Sequence, residues 1–292
     1  MSFEDIIGNN KVKNFLEKAL KENHISHSYL FVGIEGIGKT LFAQEFAKKL
    51  LCIDKEENET CLSCIKFKSG NHPDFKQIQP EGGSIKIDQI RGLQEDILAK
   101  PIASQRKVYL IIDSELMTKE AQNCLLKTLE EPPEYASIIL TTSNESKLLT
   151  TVKSRCVHIY FENIENQDII KFVKENTSLD IDEKLISMSE GSIGKAILLQ
   201  EKKDLYKDVL TLLNNMENKD LIDILNNAEV LYKQKDDIQE ILNYINVYLY
   251  NSKELRKINC IKYVEETKKR LLANSNYDMC IDFLLMKMKE EI

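Results

Sequence analysis

The sequence predicts an α/β fold built on a parallel sheet, followed by a region made only of helices. A glycine-rich loop, "GIEGIGKT" (33–40), stands between an apolar strand and a helical segment. Short apolar segments alternate with helical periodicity through the first half of the chain, which is typical of a sheet covered by helices. All ten glycines lie at or before Gly194 and all five prolines at or before Pro133, so the last third lacks both strong turn formers.

Length, charge and composition limit the kinds of protein that this chain can be. The 292 residues are enough for more than one core, and 40 basic against 47 acidic residues give a formal charge of −7. We therefore expect no global attraction for nucleic acid or acidic lipid. No apolar run is long enough to cross a bilayer, and the acidic start "MSFEDIIGNN" lacks the order of a signal peptide. We expect a cytoplasmic protein without membrane contact, with its seven cysteines free or bound to metal.

The spacing of apolar residues predicts the individual helices and strands. One face of the segment 87–99 carries Ile87, Ile90, Leu93 and Ile97, which predicts an amphipathic helix. Apolar residues also recur at helical spacing through the last third of the chain. We expect strands at "SYLFV" (28–32), "FKQIQ" (75–79), "KVYLIID" (107–113) and "SIILTT" (137–142).

The glycine-rich loop fits the phosphate-binding pattern G-x-x-x-x-G-K-[ST]. Glycines at these positions let backbone N–H groups turn towards phosphates, and the following helix adds the positive end of its dipole. The lysine neutralises the outer phosphates and the threonine hydroxyl is a ligand for Mg²⁺. The loop therefore predicts a site for ATP with Mg²⁺; a glycine turn with a chance lysine is the alternative. The residues concerned are Gly33, Gly36, Gly38, Lys39 and Thr40.

A second acidic element follows the strand "VYLIID". Asp113 at its end is the candidate carboxylate for Mg²⁺, although an ordinary buried strand can also close with an aspartate. The glutamate that polarises the attacking water in such sites is replaced by Ser114. Glu115 comes one position later, and strand alternation predicts that it faces away from Ser114. The sequence thus favours nucleotide binding over hydrolysis by this chain alone.

Longer segments of the chain carry a family resemblance. They are "FEDIIGNNKVKNFLEKAL", "ISHSYLFVGIEGIGKT", "HPDF", "AQNCLLKTLEEPP", "SRC" and "GSIGKA". With these segments the chain resembles the delta-prime subunits of bacterial DNA polymerase III clamp loaders, members of the AAA+ superfamily. The resemblance implies an AAA+ module at 1–163 with a zinc-knuckle insertion near 52–72, a helical lid at 164–203 and a helical collar for oligomerisation at 204–292.

The resemblance also assigns residues. Thr142 and Asn144 match a strand end that senses the γ-phosphate, though polar residues there are often turn formers. Arg155 in "SRC" matches an arginine that reaches the ATP of a neighbouring subunit; a solvated surface arginine is the alternative. Lys195 in "GSIGKA" stands near the place where the gamma and tau subunits carry a nucleotide-sensing arginine, so the chain resembles delta-prime more closely.

Three cysteines match part of the family's zinc module. Cys52, Cys61 and Cys64 have the spacing C-x₈-C-x₂-C, and the family continues with a fourth cysteine where this chain has Phe67. Structural Zn²⁺ prefers four ligands, and His72 is the nearest substitute along the sequence. Either a structural zinc ion or free cytosolic thiols fit this pattern.

The resemblance implies a clamp-loader subunit that helps to load the sliding clamp onto primed DNA, with delta and gamma or tau subunits as partners. The chain itself would have no polymerase chemistry, and its own ATP hydrolysis is in question because of Ser114. One alternative is a stand-alone, homo-oligomeric AAA+ ATPase that remodels protein or DNA. Another is a scaffold that has lost nucleotide binding.

Overall fold

The computed structural model describes residues 3–54 and 61–292. The chain forms two compact units, one of Met1–Ser178 with Ser189–Ile197 and one of Leu179–Met188 with Leu198–Ile292. The segment predicted as a lid contributes to both, and the division into three domains stays a prediction. Among the helices of the described ranges, none has the length and apolarity needed to cross a membrane.

The first unit contains a parallel sheet of five strands in the order β2-β3-β4-β1-β5. All four predicted strands are present, and a fifth follows "SRC". The central strand β4 is buried along its whole length, which explains why its middle, residues 138–140, is apolar without alternation. The strands are β1 (Ser28–Val32), β2 (Phe75–Ile78), β3 (Lys107–Ile111), β4 (Ala136–Thr142) and β5 (Val157–Tyr160).

Helices cover the sheet. Their apolar faces meet the strands in a core that includes Leu30, Ile90, Leu125 and Ile138. Short 3₁₀ helices lie at Phe3–Asp5, Ser114–Leu116 and Glu145–Lys147. The α-helices up to the end of the first unit's main segment are α1 (Asn10–Lys21), α2 (Lys39–Leu51), α3 (Leu62–Lys68), α4 (Ile87–Ile97), α5 (Lys119–Glu130), α6 (Thr150–Lys153) and α7 (Asn166–Asn176).

Local sequence fixes the ends of α5. The Thr118 hydroxyl accepts a hydrogen bond from the Ala121 backbone N–H at 3.2 Å, which caps the start of the helix. Pro132 and Pro133 follow its last turn and cannot continue it. The predicted inward positions Leu125 and Leu129 are buried. This helix thereby fixes the chain between β3 and β4.

The rest of the described chain is helical, as the sequence predicts. One apolar cluster forms the core of the second unit, and it includes Tyr206 and Tyr244, whose ring centroids lie 4.6 Å apart. The remaining helices are α8 (Glu183–Met188), α9 (Ile193–Glu201), α10 (Lys203–Asn215), α11 (Leu221–Asn226), α12 (Glu229–Tyr232), α13 (Ile238–Asn251), α14 (Leu255–Asn259), α15 (Ile261–Leu272) and α16 (Tyr277–Glu291).

Candidate functional site

The glycine-rich loop lies at the carboxyl end of β1. The Gly33 backbone N–H donates to the Thr142 carbonyl at 3.2 Å, which ties the start of the loop to the end of β4. Gly36 and Gly38 have φ angles of 72° and 99°, which side-chain-bearing residues rarely adopt. Helix α2 begins at the next residue, Lys39. The predicted strand, loop and helix are therefore confirmed, and the helix amino end faces the loop.

Lys39 is buried within this loop, with only 6% of its surface exposed. Its ammonium group donates hydrogen bonds of 2.8 Å to the carbonyl oxygens of Gly33 and Ile34. Burial lowers the pKa of Lys39, while the carboxylates of Glu115, Asp113 and Glu35, in that order, act to raise it. A buried cation held at the mouth of a glycine loop is an arrangement that an anion such as a phosphate would stabilise.

A second segment, 191–196, packs directly against the loop. The Ser192 hydroxyl donates to the Glu35 carbonyl at 2.8 Å, and the Gly194 backbone N–H donates to the Gly36 carbonyl at 3.0 Å. Because C=O and N–H point in opposite directions across a trans peptide, these two bonds direct the N–H groups of Gly36 and Ile37 to the other side of the loop. The segment "GSIGKA" therefore fixes the loop conformation.

The acidic element after β3 leaves the strand earlier than the sequence suggests. The strand ends at Ile111, and Asp113 takes a left-handed conformation with φ 51° and ψ 51°. Its backbone N–H donates to the Thr141 hydroxyl at 3.2 Å. Burial, and then the charge of Glu115, raises the pKa of Asp113, whereas Lys39 lowers it. The Ser114 hydroxyl is fully buried and donates to the Thr141 carbonyl at 2.9 Å.

Glu115 is the residue that the sequence reasoning discounted. Strand alternation does not apply to it, since residues 114–116 form a 3₁₀ helix. One oxygen, Oε1, accepts hydrogen bonds from the Ser143 hydroxyl and from the Ser143 backbone N–H, the latter at 2.9 Å. Burial alone raises the pKa of Glu115, but these bonds outweigh it and the net shift is downward. The left-handed conformation of Asp113 and the 3₁₀ helix after it end the strand geometry before Glu115, and no periodicity in the sequence signals this change.

The residues present fit a divalent cation next to bound phosphate. Thr40 is half-buried in the first turn of α2, and Asp113 is half-buried after β3. A hydroxyl and a carboxylate are the oxygen ligands that Mg²⁺ prefers, and a magnesium ion would bring the remaining charge needed to hold a triphosphate beside two acidic groups. The charge of Asp113 acts to raise the pKa of Lys39, as that of Glu115 does. The roles of Thr40 and Asp113 stay predictions.

The other candidate nucleotide contacts differ in their surroundings. Thr142 is fully buried at the end of β4, and its hydroxyl accepts from the Asn144 N–H at 3.1 Å. The Asn144 carboxamide accepts from the Ser146 N–H at 3.1 Å and so caps the short helix 145–147, the behaviour of a turn former. The Lys195 ammonium lies 3.9 Å from the Glu190 carboxylate. The nucleotide-binding roles of Thr142, Asn144 and Lys195 stay predictions.

Arg155 lies at the opposite end of β1 from the loop. Its carbonyl accepts a hydrogen bond from the hydroxyl of Ser28, the first residue of that strand. Its guanidinium donates to the Glu130 carboxylate at 2.6 Å and to the Thr151 carbonyl at 2.8 Å. Because the Glu130 pair is partly exposed, it is worth at most about 1 kcal/mol and can be exchanged for another anion.

Cys52, Cys61 and Cys64 come together as predicted, with their sulfur atoms within 4.8 Å of one another. Three thiolates suit Zn²⁺ but supply one ligand fewer than its usual four. Hydrogen bonds from the Cys64 backbone and from neighbouring groups outweigh burial and lower the pKa of Cys61 to about 7, whereas burial raises that of Cys64 to about 12. Part of the predicted insertion, residues 55–60, lies outside the described residues.

The suggestion that His72 completes this cluster is wrong. Its Nε2 lies 2.7 Å from the Ser63 hydroxyl, and its Nδ1 accepts from the Asp74 N–H at 3.1 Å. Both ring nitrogens are thus engaged in fixing the loop before β2, and the described metal-ligand cluster consists of the cysteines alone. Phe67 packs instead against Phe75, with ring centroids 4.6 Å apart. The position of the family's fourth thiol is part of an aromatic contact.

Comparison with known proteins agrees with this architecture. A sequence profile of the family described as "DNA polymerase III, delta subunit" matches residues 8–165, more than half of the chain. The DNA polymerase III gamma subunit of Buchnera aphidicola subsp. Baizongia pistaciae is 27% identical over 99% of this chain and 83% of its own length. The delta' subunit of Bacillus subtilis is 27% identical over 96% of each chain.

A solved structure shows the same fold. A DNA polymerase III gamma-subunit-related protein from Thermotoga maritima superposes with a TM-score of 0.58 at 21% identity, covering 94% of this chain and 99% of that one. The matched profile identifies one family, and the sheet order and the glycine loop after β1 agree with it. The chain belongs to the DNA polymerase III delta subunit family, and it is a clamp-loader subunit of the AAA+ class that serves DNA replication.

Proposed function

We propose that this chain is a subunit of the delta-prime type that binds ATP with Mg²⁺ at its glycine loop and offers Arg155 to the nucleotide of a neighbouring subunit. The observation that carries the proposal is the separation of these two features along one strand. The glycine loop follows Val32, the last residue of β1, whereas the Arg155 carbonyl accepts a hydrogen bond from Ser28, the first residue of the strand. Five residues of strand amount to roughly 16 Å, more than an arginine side chain spans.

This separation supports action in trans. An arginine held at the far end of the sheet has no path to the phosphates bound by its own loop. In a ring of subunits related head to tail, however, the two ends of the sheet face different neighbours. Arg155 would then stabilise the charge that develops on a phosphoryl group held by the next subunit. The exposed Glu130 carboxylate stands in for that phosphate in the isolated chain.

At its own loop the chain would mainly hold nucleotide. The N–H groups of residues 36 and 37 bind phosphate oxygens, Lys39 neutralises the outer phosphates, and Thr40 with Asp113 ligates the cation. When bound, Mg²⁺ supplies charge neutralisation for the triphosphate. The Ser114 hydroxyl is committed to the Thr141 carbonyl, so it does not replace the missing glutamate. Thr142, Asn144 and Lys195 belong to this site as further proposed contacts, and the three cysteines as a structural zinc site.

The partners proposed are delta and the gamma or tau subunits, with the sliding clamp and primed DNA reached through the complex, in the cytoplasm. The relatives named above are DNA polymerase III subunits over nearly the whole of this chain. A stand-alone homo-oligomeric ATPase is not favoured, because it would need its own hydrolytic glutamate.

Nucleotide binding is tested on the isolated chain by calorimetry with ATP and Mg²⁺. We expect binding by the native chain and none by Lys39→Ala, with Lys49→Ala on the same helix as the control. Equal binding heats for the native chain and Lys39→Ala would show that ATP does not bind at the glycine loop. No binding heat from the native chain would favour the alternative of a scaffold that has lost nucleotide binding.

The arginine is tested in a loader reconstituted from this chain and its partner subunits. Clamp- and DNA-stimulated ATP turnover at the site that Arg155 faces should fall by about 10³-fold on Arg155→Ala, the scale known for arginine fingers, while assembly stays intact. Lys153→Ala on the neighbouring helix is the control. Unchanged turnover with Arg155→Ala would reject the role of Arg155 in trans.

A further inference from the structure

The ion pair between Arg155 and Glu130 joins two separate segments of the first unit. Glu130 is the last residue of α5, whereas Arg155 follows the end of α6. The Glu130 carboxylate accepts a hydrogen bond of 2.6 Å from Nη2 of the guanidinium. Among the described residues, Glu130 is the only acidic group paired with this arginine. The position of the guanidinium therefore depends on a charge carried by another helix.

The other contacts of Arg155 are local. Nη1 donates to the Thr151 carbonyl at 2.8 Å and to the Ser154 hydroxyl at 3.4 Å. The backbone N–H donates to the Val152 carbonyl at 3.2 Å, and the backbone carbonyl accepts from Ser28. The Nε–H donates no hydrogen bond among the described residues. The backbone is thus fixed, while one edge of the planar guanidinium stays open to a further anion.

The place of Glu130 at the end of α5 also points to the arginine. The carboxyl end of a helix carries a partial negative charge, because its last carbonyl groups have no partner within the helix. A carboxylate at this end is unfavourable for the helix itself, whereas the basic Lys127 in the same turn is favourable. Helix stability therefore does not explain an acid at this position, and the contact with Arg155 does.

We propose that Glu130 is a positioning residue for Arg155, holding the guanidinium at the end of the sheet opposite the glycine loop before a neighbouring subunit's nucleotide reaches it. This inference rests on the proposed role of Arg155 in trans. An unrestrained arginine side chain samples many rotamers and loses that freedom when it binds a phosphate. Glu130 and the Thr151 carbonyl restrict the side chain in advance, so less freedom is lost on assembly.

The strength of the pair suits positioning rather than sequestration of the arginine. Both side chains are partly exposed, 32% for Arg155 and 49% for Glu130, so solvent screens their attraction. A phosphate enclosed between two subunits carries more charge and attracts the guanidinium more strongly. It can engage the free Nε–H first and then take over the charge that Glu130 pairs in the isolated chain. Glu130 thus guides the arginine without withholding it.

The test measures ATP turnover in a loader reconstituted from this chain and its partner subunits. The Arg155-dependent turnover is the difference between the native loader and the loader with Arg155→Ala. Glu130→Gln keeps an acceptor for Nη2 but removes the charge, and should lower this turnover by about fivefold with an unchanged KM for ATP. Glu130→Asp, which keeps the charge on a shorter side chain, should recover part of the loss. Glu131→Gln, at the exposed acid next to it, should leave turnover unchanged.

A double variant separates positioning from structural support. If Glu130 acts through Arg155, adding Glu130→Gln to Arg155→Ala should cause no further loss of turnover. A further loss, or a loss of assembly with Glu130→Gln alone, would overturn the proposal and leave Glu130 as a structural residue. Unchanged or higher Arg155-dependent turnover in Glu130→Gln would also overturn it, the higher value because Glu130 would then withhold the arginine. If Arg155→Ala itself leaves turnover unchanged, the role of Arg155 in trans fails, and this inference fails with it.

Discussion

The contact between Gly36 and Gly194 gives a quantitative prediction about the phosphate loop. A Cβ added at Gly194 would lie 3.0 Å from the Gly36 Cα and 3.3 Å from its carbonyl oxygen. Both atoms belong to the loop backbone, which cannot rotate aside as a side chain can. We therefore expect Gly194→Val to push the 191–196 segment off the loop.

The size of the effect follows from the hydrogen bonds that would be lost. The Gly194 N–H and the Ser192 hydroxyl each hold one loop carbonyl, and a hydrogen bond contributes about 1 kcal/mol net. Losing both amounts to about 2 kcal/mol of loop preorganisation, which corresponds to roughly 30-fold in the ATP dissociation constant. Ser192→Ala, which removes one bond, should cost about 5-fold.

Calorimetric titration with ATP and Mg²⁺ measures these changes. The matched control is Gly92→Val in α4, because a Cβ there meets no atom within 4 Å. The control should bind ATP as the native chain does. Affinity within twofold of native in folded Gly194→Val would refute the argument that the segment holds the loop in its binding conformation.

Three further predictions concern the neighbouring structure. Asp74→Ala should lower the free energy of unfolding in urea by about 3 kcal/mol, because the buried carboxylate accepts the backbone N–H groups of residues 102–104 at 2.7, 2.7 and 2.8 Å; a loss under 1 kcal/mol would contradict this. Phe67→Cys should strengthen zinc binding and give the visible spectrum of a four-thiolate site with cobalt, unlike the native chain. In metal-free chain at pH 7, iodoacetamide should modify Cys61 before Cys64. Hydrogen bonds outweigh burial and lower the pKa of Cys61 to about 7, whereas burial raises the pKa of Cys64 to about 12. Mass spectrometry of the peptides measures the order of modification, and modification of Cys64 first would contradict this prediction.

Much of the fold could be predicted because its signals are local. The middle of β4, residues 138–140, is apolar without alternation because both faces of the strand are buried, and α5 carries its own cap at Thr118 and its own stop at Pro132. The glycine loop was recognisable for the same reason: the positive φ angles at Gly36 and Gly38 need glycine, and the spacing to Lys39 is fixed by the loop itself.

The parts of the site that escaped prediction depend on contacts between distant segments. Nothing next to Glu115 signals that Ser143 will orient it. Strand alternation does not extend to Glu115, because β3 ends at Ile111 and a 3₁₀ helix follows the left-handed Asp113. His72 is close to the cysteines along the sequence, but its ring is engaged with Ser63. Sequence distance is a poor guide where a turn or a buried hydrogen bond decides the direction of a side chain.

The two ends of β1 suggest why such a chain can keep a nucleotide loop without the usual hydrolytic glutamate. Its phosphate loop and its arginine belong to different active sites if subunits stand head to tail, so each can change without the other. Losing the glutamate at position 114 would affect only the chain's own nucleotide, whereas losing Arg155 would affect a neighbour's. Bound nucleotide could still order the loop and the 191–196 segment that packs on it, through the bonds at Glu35 and Gly36. On this argument, Lys39→Ala and Arg155→Ala should impair a reconstituted loader in separable ways: the first through the stability of this subunit's loop, the second through the turnover rate of the adjoining site.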